Sequence, residues 1–190
     1  MKTIIFAGPS AVGKTYIANQ LVREFPDIFE HALLYTTRIP RPGEKSLDRI
    51  FISNEKFESM KQDKQFIISD EFSGNLYGFT KEAIYPGKKH LLLNAWPWLI
   101  PQFSKIDHAI IIGMQAEDGT KKMLIDRMKD RGDSDEVIEK RPRLIDIDQD
   151  DLKKYASLTE ESGAYFIIEN DETIPKKIIP WIYTKLNLKQ

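Results

Sequence analysis

The chain has 190 residues, with 28 lysines and arginines against 29 aspartates and glutamates, which gives a net charge of −1. This balance excludes a global basic footprint for nucleic acid, and the absence of cysteine excludes disulfides, thiol nucleophiles and cysteine-ligated metals. The three histidines show no metal-ligand spacing. No apolar run approaches a membrane span, and the N-terminal run is too short for a signal-peptide core. We therefore expect a single cytoplasmic domain.

The N-terminal stretch carries the strongest functional motif. Residues 3–7 form a continuous apolar run, which predicts a buried strand of a parallel sheet. The segment Gly8–Thr15 follows with the pattern G-x-x-x-x-G-K-T, and a helix is predicted from about Lys14 until Pro26 stops it. Glycines let the backbone wrap a phosphate, while N–H groups and the helix N-terminus face the anion. Lys14 would then reach the β- and γ-phosphates of a nucleotide, and the Thr15 hydroxyl would ligate Mg²⁺.

The next part of the chain predicts short elements around a shaped loop. Two prolines and a glycine between Thr36 and Glu44 exclude a helix there. Ser53 or Asn54 is the expected N-cap of a helix that runs to Met60. The remaining predictions are a strand at 49–53, a strand at 65–69, a glycine-flanked turn at 73–78 and a short helix near 80–85.

The second half predicts further strands separated by helices. Buried strands are expected at 90–94, 108–113 and 165–168, with helices at 120–130 and 173–188, the latter kinked or divided at Pro180. The apolar piece 95–101 holds Trp96 and Trp98, and the charge-dense stretch 126–154 reads as a solvated helical hairpin. Alternating strands and helices after a phosphate loop predict an α/β fold, a parallel sheet with helices on both faces.

Several segments together resemble the guanylate kinase family in order and spacing. These are the loop Gly8–Thr15, the run Tyr35–Glu44, the turn Gly74–Gly78, Arg127 with Arg131-Gly132 and Arg141, and the pair Asn170-Asp171. The resemblance covers nearly the whole chain. It implies a P-loop kinase fold with a core of 1–32, 90–125 and 155–190, a small acceptor-binding region of 33–89 and a helical lid of 126–154.

The resemblance also implies an activity, an ATP- and Mg²⁺-dependent transfer of the γ-phosphate to a phosphorylated small molecule, with GMP or dGMP as the first choice. The predicted ATP-binding residues are Gly8, Pro9, Ser10, Ala11, Val12, Gly13, Lys14, Thr15 and Asn170. The predicted acceptor-binding residues are Arg38, Arg41, Arg49, Tyr77 and Asn94. The predicted catalytic residues are Lys14, Arg38, Arg127, Arg131 and Arg141, and the predicted metal ligand is Thr15. Neither a nucleic-acid partner nor a membrane is expected, and the oligomeric state is left open.

The chain departs from the family where the family contacts guanine. Apolar residues replace polar ones at three positions: Ile68 for a glutamate, Phe79 for a serine or threonine, and Leu34 for a serine. Arg49 stands where the family has a tyrosine, and it would bring an extra positive charge to the acceptor site. Because hydrogen-bonding pockets discriminate by factors of ~10⁴–10⁵, losing these partners removes the basis for reading guanine.

The family's aspartates near the phosphates are also replaced, by Leu93 and Ala95 on either side of Asn94. Thr15 and the substrate oxygens are then the main Mg²⁺ ligands, unless Asp70 or Glu71 compensates. These two carboxylates, or Thr80, are also the residues that a shifted alignment would bring to the guanine positions.

Alternatives remain open at this stage. Ribose bisphosphate phosphokinases share the outline and lack the guanine-reading glutamate, and Asn94 fits their pattern although its arginine does not appear here. Ribose bisphosphate or another nucleotide is therefore the alternative to GMP or dGMP as acceptor. Trp96 and Trp98 either stack on a base or pack in the core or at an interface. A different class of function is an inactive, guanylate-kinase-like binding module, which the intact Lys14 and Thr15 disfavour.

Overall fold

A computed structural model describes residues 1–40, 44, 47–169 and 172–188. The strands found in these residues are β1 (Thr3–Ala7), β2 (Phe29–His31), β3 (Leu34–Thr36), β4 (Arg49–Phe51), β5 (Phe66–Phe72), β6 (Asn75–Thr80), β7 (His90–Ala95), β8 (Ala109–Ala116) and β9 (Ala164–Ile168). The helices are α1 (Lys14–Glu24), α2 (Asn54–Gln62), α3 (Lys81–Ile84), α4 (Ile100–Phe103), α5 (Lys121–Asp130), α6 (Asp135–Lys154), α7 (Ala156–Ser162) and α8 (Ile179–Lys185). A 3-10 turn spans Pro97–Leu99 and a π-helical turn spans Ile174–Ile178.

The main sheet of the described chain has five strands in the order β2-β7-β1-β8-β9. β1 lies in the centre, and every residue of β1 and of β8 is buried, as the continuous apolar runs predict. The pairs β2 with β7 and β8 with β9 are parallel. β9 is less buried than predicted, because it is the last strand of the sheet, and Ile167 is 40% exposed.

The chain divides into two compact units, Met1–Ile4 with Leu21–Leu93 (the first unit) and Ile5–Gln20 with Asn94–Gln190 (the second unit). Within the first unit, a smaller sheet has the order β4-β3-β6-β5 among the described strands. β3 is parallel to β4 and antiparallel to β6, and β5 is antiparallel to β6. β5 and β6 are antiparallel because a tight hairpin joins them, and the parallel pair of β3 and β4 makes the sheet mixed.

Two local predictions in the first unit have different outcomes. The N-cap prediction for α2 is confirmed, since the Ser53 hydroxyl accepts a hydrogen bond from the backbone N–H of Lys56 at 3.2 Å. The predicted turn at 73–78 is wrong in extent. Within 73–78 only Ser73 and Gly74 have positive φ, and the strand β6 begins directly after them at Asn75. Two residues with positive φ are enough to reverse the chain direction in a hairpin.

The second unit contains the loop after β1 and the helices from α4 onward. The helix predicted at 120–130 is confirmed as α5, on which Leu124 and Met128 are buried. The predicted C-terminal helix is divided before Pro180 into the π-helical turn and α8. This is the expected effect of proline, which lacks an N–H group and clashes with the carbonyl four residues earlier. No helix in the described part of the chain is long and apolar enough to cross a membrane.

Candidate functional site

The loop Gly8–Thr15 connects β1 to α1, which is the strand–loop–helix context that the phosphate-binding motif requires. Ala11 and Gly13 have φ values of 63° and 115°, and these two reversals fold the loop back on itself. A Cβ at Gly13 would lie 2.3 Å from Cδ1 of Ile174, and one at Gly8 would lie 2.5 Å from the carbonyl oxygen of Met114. The backbone contact makes Gly8 necessary sterically, whereas at Gly13 the positive φ strains any other residue and the close atom is the end of the Ile174 side chain.

Lys14 is turned toward this loop. Its ammonium donates hydrogen bonds to the carbonyl oxygens of Gly8 at 2.5 Å and of Pro9 at 2.8 Å. A lysine in this position brings a positive charge to the loop. The strand–loop–helix context of the motif is confirmed, and the contact of Lys14 with nucleotide phosphates stays a prediction.

Two of the three predicted lid arginines reach the same loop. Arg127 on α5 donates to the carbonyl oxygen of Ala11 at 3.0 Å, and burial lowers the pKa of its guanidinium. Arg141 on α6 donates to the Ser10 hydroxyl at 2.9 Å. Arg131 is different, since among the described residues its guanidinium is bonded to the carboxylate of Asp133, with the Nε contact at 3.0 Å.

Asn94 and Thr15 are brought together at the end of β7. The Asn94 side-chain amide donates to the Thr15 hydroxyl at 3.3 Å. No group of three His, Cys, Asp or Glu side chains that could hold a metal ion occurs in the residues that the structure describes. The predicted acceptor residue Asn94 therefore contacts the predicted metal ligand.

Asp148 on α6 is a residue of this region that the sequence reading passed over. Its side chain lies on the same helix face as the buried Ile145 and Leu152, and the residue is only 3% exposed. Burial raises the pKa of Asp148 to about 7, while the charges of Lys14 and Arg141 oppose that rise. The sequence does contain a signal for this placement. Asp148 follows Ile145 by three residues and precedes Leu152 by four, and this spacing places it on the packed face of the helix.

A second charged cluster lies in the first unit. The Arg38 guanidinium donates from Nη2 to both carboxylate oxygens of Glu44, at 2.8 and 2.9 Å. Arg49 has its Nη1 3.6 Å from the same carboxylate and 3.3 Å from that of Asp48. The side chains of Arg38, Glu44, Arg49 and Asp48 are between 11% and 22% exposed. Glu44 was not among the predicted site residues. Its position six residues after Arg38, in the same predicted loop, was the signal in the sequence that the two side chains could pair.

The three positions where we expect apolar residues in place of guanine-contacting ones lie in one row across the smaller sheet. Leu34 pairs with Phe79, and Phe79 pairs with Ile68, so the three side chains are neighbours on β3, β6 and β5. They are 4%, 2% and 5% exposed. Arg49 extends the row, because it pairs with Leu34 on the other side. The row is therefore an apolar, packed surface that ends in an arginine.

The adjacent row on the same face contains Tyr77. Tyr77 pairs with Thr36 on one side and with Asp70 on the other, and it is 7% exposed. The predicted acceptor residues Arg38, Arg49 and Tyr77 thus belong to one unit. Arg38 also lies over the ring of Phe51, 5.3 Å from its centroid, on the strand that carries Arg49.

Three other sequence predictions have simpler outcomes. Arg41 and Asn170 lie outside the described residues. Trp96 and Trp98 stack on each other, with ring centroids 5.5 Å apart and planes 20° apart, and both are partly exposed. Trp98 lies in the 3-10 turn that packs against α6 and Trp96 directly precedes it, and the choice between base stacking and packing stays open.

Comparison with known proteins defines the class of protein. The chain is similar over its full length to the solved structure of guanylate kinase from Anaplasma phagocytophilum, with a TM-score of 0.65, 18% identity and 87% of that chain covered. At this identity the likeness establishes the fold alone. The parallel sheet flanked by helices, with a phosphate loop after its central strand, is the fold of a P-loop kinase.

Sequence comparison then gives the family. The family model for guanylate kinase matches residues 1–173. Guanylate kinase from Streptococcus thermophilus is 32% identical over 144 residues, which is 73% of this chain and 68% of that protein. The chain belongs to the guanylate kinase family. The match to guanylate kinase from Trichormus variabilis is 40% identical over 84 residues and spans only 42% of that relative.

Proposed function

We propose that this protein is an ATP-dependent phosphotransferase of the guanylate kinase type, which transfers the γ-phosphate of ATP to a phosphorylated small molecule. The observation that carries this proposal is the convergence of Lys14, Arg127 and Arg141 on one phosphate loop. Three cations around backbone amides suit a triphosphate whose charge spreads during in-line transfer. Such catalysis is positional and electrostatic and needs no protein nucleophile.

The residues beside the loop fit a Mg²⁺ ion that arrives with ATP. Thr15 would hold it through its hydroxyl, which the Asn94 amide already contacts at 3.3 Å. Mg²⁺ keeps several waters and binds substrate phosphates, so the Thr15 hydroxyl would be one ligand among water and phosphate oxygens. The bound ion would neutralise charge on the phosphate oxygens.

The Arg38–Glu44–Arg49 cluster supports phosphate binding on the acceptor side. A guanidinium fork recognises a phosphate dianion as it recognises a carboxylate, so the acceptor phosphate would take the place of Glu44 on Arg38. Arg49 adds a second positive charge beside this fork. We propose, accordingly, that residues 33–89 form the acceptor-binding region and residues 126–154 the lid.

Which acceptor is used is the finer part of the proposal. GMP or dGMP is the first candidate because of the family. The buried row of Leu34, Phe79 and Ile68 supports a second candidate, an acceptor that is not read by hydrogen bonds to a guanine edge, such as another nucleotide or ribose bisphosphate. A wall without donors or acceptors gives no preference for guanine over other bases.

The test is a phosphotransferase screen with Mg·ATP over nucleoside monophosphates and pentose phosphates, with Lys14→Ala as the blank. Turnover with one acceptor that disappears in Lys14→Ala supports the kinase. Calorimetric titration with GMP and with ribose bisphosphate then separates the two candidates. Tight, base-specific GMP binding refutes the altered acceptor, and acceptor binding without turnover in any pairing supports the binding module instead.

A further inference from the structure

The carboxylate of Glu44 lies between two guanidinium groups of the first unit. Its Oε1 accepts a hydrogen bond from Nη2 of Arg38 at 2.8 Å and lies 3.6 Å from Nη1 of Arg49. All three side chains are partly buried, so salt screens the interaction less than it would on an open surface. One anionic oxygen thus stands between two arginines, which is a position that suits a phosphate oxygen.

Glu44 also takes the part of Arg38 that a phosphate needs. A guanidinium can offer paired N–H donors along the Nε–Nη2 edge or along the Nη1–Nη2 edge, and both edges include Nη2. Nη2 of Arg38 donates to both carboxylate oxygens of Glu44, at 2.8 and 2.9 Å. Nη1 donates to the carbonyl oxygen of Ile39 at 2.9 Å. A phosphate can therefore take paired hydrogen bonds from Arg38 only after Glu44 has left Nη2.

From this arrangement we infer that Glu44 is an internal competitor for the acceptor phosphate, which occupies Arg38 in the free protein and leaves it when the acceptor binds. The inference deepens the proposed function and rests on its acceptor site at Arg38. Arg49 receives the displaced carboxylate, because its Nη1 is already 3.6 Å away. Competition lowers the apparent affinity of every anion for Arg38 by the fraction of protein in which Arg38 is open. The site therefore rejects free inorganic phosphate and admits an acceptor that adds contacts beyond its phosphate.

The test measures the binding of inorganic phosphate at pH 8, without nucleotide, by NMR titration of the side-chain N–H signals of Arg38. These signals report phosphate at Arg38 and not at the loop that carries Lys14. We expect Glu44→Gln, which keeps the size but removes the charge, to raise the affinity by roughly tenfold or more, the factor that one charged hydrogen bond is worth. Glu44→Asp keeps the charge but withdraws the carboxylate by one methylene, so its affinity should lie between those of wild type and Glu44→Gln.

Asp48→Asn is the matched control, because it removes the same charge from a carboxylate that pairs with Arg49 at 3.3 Å. It reduces the general repulsion of phosphate, and we expect a gain of about threefold at most, as for a screened charge near the surface. Equal gains in Glu44→Gln and Asp48→Asn would show that Glu44 acts by charge alone and would refute the competitor. Weaker binding in Glu44→Gln would refute it too, because that is the result expected if Glu44 only holds the arginines in place.

Failure of the inference and failure of the proposed function give different results. Phosphate binding at Arg38 with the same affinity in wild type and Glu44→Gln would refute the competitor and leave the acceptor site standing. No response of the Arg38 signals in either protein would refute both. With an acceptor found in the screen, Glu44→Gln should also lower the KM for that acceptor about fivefold or more, while the KM for ATP changes less than about twofold. An unchanged acceptor KM would contradict the competitor.

Discussion

Gly13 has a φ of 115°, and a Cβ there would lie 2.3 Å from Cδ1 of Ile174. Gly13→Ala therefore adds backbone strain and a clash, and we expect it to lower the free energy of unfolding by about 3 kcal/mol. Urea denaturation measures the loss. Gly119→Ala is the control for strain alone, since Gly119 has a φ of 93° with no atom within 4 Å of its Cβ position.

The clash can be separated further with Ile174→Val, which removes the Cδ1 carbon. The double variant Gly13→Ala/Ile174→Val should be more stable than the sum of the two single losses predicts. Strict additivity would mean that Ile174 does not press on Gly13 as the structure indicates.

Asp148 makes stability depend on pH in a particular direction. Burial raises its pKa from 3.8 to about 7 on folding. The folded state therefore binds this proton more tightly, so its stabilising effect is complete below pH 3.8 and is lost as the pH rises through 7. Between pH 5 and pH 8 we expect the wild type to lose about 2–3 kcal/mol relative to Asp148→Asn, at about 1.4 kcal/mol per pH unit.

The measurement is urea unfolding of both proteins at pH 5, 6, 7 and 8. Burial also lowers the pKa values of His31 and His90, but both proteins share these histidines, so the difference between them cancels their contribution. A difference that stays constant over this range would contradict the raised pKa of Asp148.

At the scale of elements, the apolar row across β3, β6 and β5 determines what the smaller sheet can accommodate. Ile68 is 5% exposed and Ile67, the preceding residue on β5, is 53% exposed. Ile68→Glu would bury a carboxylate among Leu34 and Phe79, and we expect it to cost at least 3 kcal/mol of unfolding free energy. Ile67→Glu on the exposed side should change it by less than about 0.5 kcal/mol.

The same pair of variants tests whether the row of Leu34, Phe79 and Ile68 contacts the acceptor. Ile68→Glu introduces the residue type that the sequence resemblance implies for this position. A stable Ile68→Glu protein with increased GMP binding would mean that the wall still has room for a guanine edge, and the altered-acceptor candidate would then be wrong. Thermal unfolding and GMP calorimetry on one preparation give both answers.

At the scale of the whole molecule, the sequence predicts well what depends on local pattern. Runs of apolar residues give β1 and β8, the glycine and lysine spacing gives the loop Gly8–Thr15, and Ser53 gives the start of α2. Each of these signals lies within about ten residues of chain. The division into a core, an acceptor-binding region and a lid was predicted only from the resemblance to the guanylate kinase family.

What sequence reading missed depends on contacts between distant segments. The spacing of Asp148 from Ile145 and Leu152 places it on the packed face of α6, but Lys14, whose charge opposes the rise of its pKa, lies 134 positions away in the sequence. The row of Leu34, Phe79 and Ile68 is visible only once strand order and register are known.

We expect the thermal stability of the protein to increase when a nucleotide binds to the phosphate loop. A ligand that binds only the folded state stabilises it by about 2.7 kcal/mol at 100 times its Kd, which for a chain of this size is a rise in Tm of roughly 5–10 °C. We expect Mg·ATP to give such a rise. Lys14→Ala should lose most of it, because the ammonium is the loop's own cation. Lys122→Ala, at an 85% exposed lysine on α5, should keep it. Equal shifts in all three proteins would show that the bound nucleotide does not contact Lys14, and the phosphate loop would then not be the ATP site.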